Sequence, residues 1–107
     1  MAKAPVLSRQ QRSVLDFAVA ISSGQPERVT LTVVPCDYTR HGTPKVIVLV
    51  RGQRQIEGGP GYVRRVLRTV YGATAEGTVA RAEAFAEVCR QYLESKTQAK
   101  GAADNGS

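Results

Sequence analysis

The sequence predicts a two-layer α+β domain, on three observations. A helical apolar repeat lies near the N-terminus, β-branched strand patterns fill the middle, and a second helical repeat occupies the C-terminal third of the 107 residues. A chain of this length supports one core, burying somewhat under roughly two thirds of the surface it exposes when unfolded. With 42% hydrophobic residues in periodic blocks, residues 8–96 are expected to fold as a single domain. Residues 1–7 are expected to be a flexible N-terminus. Residues 97–107, TQAKGAADNGS, have no apolar repeat and are expected to be a disordered tail.

Each element has its own signal. Ser8-Arg9-Gln10-Gln11 has the form of a capping box, and Val14, Phe17, Ala18 and Ile21 then recur at helical spacing, with Leu15 and Val19 broadening the stripe. Gly24 supplies a left-handed stop and Pro26 a break. From Arg28 to Val34 the residues alternate, with Arg28, Thr30 and Thr32 on one face and Val29, Leu31 and Val33 on the other, as in a half-exposed strand ended by Pro35. Residues 36–43, CDYTRHGT, suit a loop between antiparallel strands. The second strand, Lys45–Arg51, is apolar on both faces, which suits a central strand covered on both sides or a strand at a subunit interface. Gly52 begins a turn into a short third strand around Gln53–Ile56.

Glu57 to Gly61 break the chain. Tyr62, Val63, Val66, Leu67, Val70 and Tyr71 then fit one face of a helix, with Arg64, Arg65 and Arg68 on its opposite face and Gly72 closing it. A last helix is expected from near Thr74–Thr78 to about Lys96. In it Ala82 and Ala86 permit close approach to the sheet or to a twin helix in a homodimer. The expected fold is thus an N-terminal helix, an antiparallel β-hairpin with room for a third strand, and two C-terminal helices.

Charge is the strongest functional signal. Arg40, Lys45, Arg51, Arg54, Arg64, Arg65 and Arg68 face a single carboxylate, Glu57, in the same stretch, a surplus that equals the +6 of the whole chain. The basicity is therefore local, and eleven arginines against four lysines favour bidentate contact with phosphate. These seven residues are the candidate nucleic-acid contacts. The helix expected after Gly58-Gly59-Pro60-Gly61 would add its positive dipole end to Arg64, Arg65 and Arg68. Tyr38 and Tyr62 lie nearest the basic groups and are candidates for stacking on unpaired bases. A sheet-based reader using the Arg28, Thr30, Thr32 face also fits. A helix-turn-helix fits poorly, because its second helix would bear Glu83, Glu87 and Glu94.

Other chemistry is weakly supported. Cys36, Asp37 and His41 are close in sequence, but one histidine and a distant Cys89 do not make a zinc set, and no cofactor motif is present. The Gly-rich stretch lacks the Lys-Ser/Thr ending of a phosphate-binding loop. Two well-separated cysteines read as reduced thiols. No apolar run approaches the roughly 20 residues of a membrane span, and a cytoplasmic protein is expected.

The run VIVLVRGQRQIEGGPGYVRRVLRTVYG, preceded by a helix and a strand, resembles the latter half of the small HicA-type, double-stranded-RNA-binding-like toxins, in which strand, loop and basic helix follow in that order. The resemblance implies a helix, sheet, helix topology. The catalytic histidine of that family belongs in the first strand, and RVTLTVV has none, so the ribonuclease activity does not carry over. The expected function is a small, non-enzymatic, nucleic-acid-binding protein of regulatory type. The alternative is a regulator or inhibitor docking its basic face on an acidic protein. A ribonuclease would depend on His41 as its acid or base.

Overall fold

A computed structural model of the chain describes residues 7–36 and 42–105. The element order is α1 (Arg9–Ile21), a short 3-10 turn (Pro26–Arg28), β1 (Thr30–Cys36), β2 (Lys45–Ile56), β3 (Gly59–Tyr71) and α2 (Ala75–Asn105). The three strands form an antiparallel sheet in the order β1-β2-β3, and both helices pack on it. The α+β class and the helix, sheet, helix order are as the sequence implies.

Local chemistry sets the helix ends. The Ser8 hydroxyl accepts from the Gln11 amide at 3.1 Å and the Gln11 side chain accepts from the Ser8 amide at 2.9 Å, closing the capping box. Ser23 (φ 61°) and Gly24 (φ 72°) turn the chain out of α1 in the left-handed region. Thr74 caps α2, its hydroxyl accepting from the Gly77 amide at 3.1 Å. The helix continues beyond Lys96 to Asn105.

Three expectations are corrected. The segment Tyr62–Tyr71 is strand, not helix. Its Val, Thr and Tyr content favours extended backbone, and the turn at Glu57-Gly58, with φ of 94° at Gly58 and 131° at Gly59, folds it back on β2 as a hairpin. Only one helix therefore follows the sheet, and the helix-turn-helix alternative falls. The short strand around Gln53–Ile56 is the continuation of β2. Pro35 does not end β1, since it pairs with Val46, and as β1 is an edge strand a residue without an amide hydrogen is tolerated there.

The core lies between the helices and one face of the sheet. Val46, Val48 and Val50 of β2 are buried against Leu15 and Ala18 of α1 and Ala82, Phe85, Ala86 and Cys89 of α2. Ala82 and Ala86 serve close packing on the sheet. Leu7, ahead of the first helix, also joins this core.

Candidate nucleic-acid interface

Strand alternation decides where each basic residue lies, because directly paired residues share a sheet face. Val46, Val48 and Val50 define the helix-covered side. Their neighbours Ile47, Leu49 and Arg51 therefore lie on the other side, which neither helix covers. Thr30 pairs with Arg51 and Thr32 with Leu49, placing the two threonines of the expected polar strand face there too. Arg28 falls in the 3-10 turn, outside the strand.

β3 divides the arginines expected to share a ridge. Arg64 pairs with Arg51 and lies on the bare face, whereas Arg65 pairs with Val50 and lies on the helix side. A bulge follows, in which Leu49 faces Val66 and Val48 faces Arg68, leaving Leu67 over. Leu67 turns into the core and Arg68 follows Arg65 to the helix side. The three arginines wrap the β3 edge instead of sharing one surface. Because Gly58 and Gly59 form a hairpin turn, the helix-dipole anion site expected after them does not exist.

Lys45 pairs with Tyr71 across β2–β3 and lies at the far end of the bare face from Arg51. Arg54, opposite Gly61, sits where the β2–β3 ribbon projects past the start of β1. Arg40, with Tyr38, Asp37 and His41, lies outside the described residues.

Three of the five arginines of the ribbon rest on aromatic rings. Arg51 lies 4.6 Å from the centre of the Tyr62 ring, Arg65 5.7 Å from Phe17 and Arg68 5.3 Å from Phe85. The ion pairs among the described residues are Arg90–Glu87 and Lys96–Asp16, so no cation of the ribbon is neutralised by a carboxylate there. Tyr62, Val66 and Tyr71 on the bare face are 52%, 53% and 56% exposed. The sequence pattern hides Val66 and Tyr71 in a helix stripe, and the β-branched content of YVRRVLRTVY is the signal that could have revealed them.

Other parts of the surface are less suited to an anion. A groove of about 550 Å³ between β1 and α2 is lined by Pro26, Val29, Leu31 and Leu93. It has Glu27 and Glu94 beside Arg90. Across the helices, Asp16 accepts from the Tyr92 hydroxyl at 2.8 Å and pairs with Lys96 at 3.0 Å. Burial alone would raise the Asp16 pKa, but the hydrogen bonds from Lys96 and Tyr92, with the charges of Lys96 and Arg12, hold it below the ordinary value. Its hydrogen bond to Asp16 raises Lys96, and burial followed by the same carboxylate raises Tyr92. Burial pushes the Cys89 thiol up to about 11, so it is not a ready nucleophile. Cys36 and Cys89 are free, and no cluster of metal-ligating side chains occurs among the described residues. No helix of the described residues is long and apolar enough to cross a membrane.

No protein-family model matches the chain, and neither a curated protein nor a solved structure matches it. The fold and surface define a small α+β domain with one bare, basic sheet face. The basic helix implied by the resemblance to the toxins is replaced by β3.

Proposed function

We propose that this is a small, non-enzymatic, nucleic-acid-binding protein of the cytoplasm, which contacts phosphates through Lys45, Arg51, Arg54, Arg64, Arg65 and Arg68. The observation that carries this role is that all six occupy the β2–β3 ribbon without a carboxylate partner among the described residues. A single-sign field of this kind raises the local concentration of a polyanion and speeds its arrival. The planar guanidinium groups of Arg51, Arg65 and Arg68, held against aromatic rings, are partly ordered before any ligand arrives, which lowers the entropic cost of contact. Two free thiols fit a reducing compartment.

Fluorescence anisotropy with labelled oligonucleotides at two salt concentrations tests the role. With about six phosphate contacts, affinity should fall by about 300- to 2,000-fold between about 50 and 200 mM salt. The triple variant Arg51→Ala/Arg64→Ala/Arg68→Ala should lose about half of the salt dependence. Absence of binding at low salt, or binding indifferent to the triple variant, overturns the proposal.

A further inference from the structure

Resting on that reading, we infer that the ligand is single-stranded nucleic acid laid across the bare face of the sheet, with bases stacked on Tyr62 and Tyr71 and phosphates held by Arg51, Arg64 and Lys45. The face combines two features that a duplex does not use together. Its cations suit any nucleic-acid backbone. Its exposed rings suit only bases whose π-faces are free, because bases in a duplex are already stacked on each other.

The arrangement is extended. Tyr62 and Tyr71 stand near opposite ends of β3, about 30 Å apart at the usual rise per strand residue, with exposed Val66 between them. Arg51 and Arg64 are paired beside Tyr62, and Lys45 is paired with Tyr71. Each aromatic end therefore has its own cation, a spacing that follows a strand of several nucleotides and not a single phosphate.

Two other occupants fit less well. A second copy docked by twofold symmetry would press this face, with Lys45, Arg51 and Arg64, against an identical cationic face, and it carries no carboxylate among the described residues. A two-stranded ribbon can enter the major groove of a duplex, but the tip of this one presents Glu57 and exposed Ile56, an acid and an apolar side chain where phosphates would pass.

The test compares the full chain with a labelled oligonucleotide of mixed sequence, about 12 nucleotides long, single-stranded and annealed to its complement, as RNA and as DNA, at one salt concentration. The single strand should bind tighter than the duplex. Tyr62→Ala and Tyr71→Ala should each weaken it by about 5- to 150-fold while weakening duplex binding far less, and Tyr62→Phe should bind as the parent does. Circular dichroism checks the variants, whose exposed positions leave the fold intact. A stronger signal from RNA or from DNA names the natural source. Duplex binding as tight as single-strand binding, with harmless tyrosine changes, overturns this inference and leaves the proposed function standing. Binding of neither form overturns both. Polyglutamate bound as tightly as the oligonucleotide, or a dimer in sedimentation that Val66→Asp disperses, assigns the face to an acidic protein or to a second copy and also overturns it.

Discussion

Arg51 and Arg64 stand directly opposite each other across the β2–β3 hairpin, on the bare side of the sheet, with no carboxylate partner among the described residues. Like charges in this position cost about 0.2–1 kcal/mol, and the Tyr62 ring beneath Arg51 offsets about 0.5–1 kcal/mol of that. An anion between the two guanidinium groups would relieve the repulsion outright. Arg64→Gln should therefore stabilise the free protein by a few tenths of a kcal/mol while weakening oligonucleotide binding and reducing the salt slope by about 0.7–0.9. Urea unfolding and a salt titration read the two effects separately. A lower urea midpoint in the variant contradicts the account.

The C-terminal turn of α1 sits on β2 at Gly52. A methyl group at Gly52 would stand 2.9 Å from the Ala18 carbonyl oxygen and 3.3 Å from the Ser22 hydroxyl, and the nearer atom is backbone that cannot swing aside. Gly52→Ala should cost about 1–3 kcal/mol by overpacking. Ser22 is fully buried, and its hydroxyl accepts from the Gln53 amide at 3.0 Å. That amide lies beyond the start of β1, so the hydroxyl does the work of an absent strand. Ser22→Ala should cost about 1–3 kcal/mol by leaving the amide unpaired. Thermal unfolding checks both, and parent-like stability in either variant refutes the packing described.

The parts of the fold written in local chemistry were legible in the sequence. The capping box at Ser8 and Gln11, the alternation before Pro35 and the alanine seam of the last helix all have short-range causes. The β2–β3 hairpin was not legible, because Tyr62, Val63, Val66, Leu67, Val70 and Tyr71 satisfy a helical repeat equally well. In the structure that repeat arises from a strand with apolar residues on both faces and an added residue at Leu67. The bulge is a tertiary event, and it separates Arg64 from Arg65 and Arg68. Charge density could thus be read from the residues, whereas the division of the charges between two faces could not.

Val66 and Leu67 give a direct measure of that difference. A helix would bury both, but here Leu67 is buried and Val66 is more than half exposed. Leu67→Ala should cost about 2–4 kcal/mol through lost burial and the cavity left behind. Val66→Ala should stay within about 0.5 kcal/mol. Urea midpoints of the two variants decide the matter, and equal losses would support the helical arrangement.

Stability should be greatest near neutral pH, with a different group responsible for each flank. On the alkaline side, the folded Cys89 thiol titrates at about 11 against an ordinary value of 9.0, so the unfolded chain releases this proton first. Its contribution is complete below about pH 9 and is lost as pH rises toward 11, on the order of 2 kcal/mol. The raised Tyr92 and Lys96 act in the same direction, their losses beginning as pH rises past the ordinary values of 10.0 and 10.5. On the acid side, the lowered Asp16 contributes stability that is present above its unfolded pKa of 3.8 and disappears as pH falls through its folded value. Because Asp16 and Lys96 are both partly solvated, that pair is worth no more than about 1 kcal/mol. Cys89→Ala should flatten the loss between about pH 9 and 11 while lowering stability at neutral pH, and Asp16→Asn should flatten the acid flank attributable to this carboxylate together with the alkaline loss that Lys96 and Tyr92 owe to it. Urea unfolding across the pH range measures both, and an alkaline profile of Cys89→Ala parallel to the parent's would rule out the buried thiol as its source.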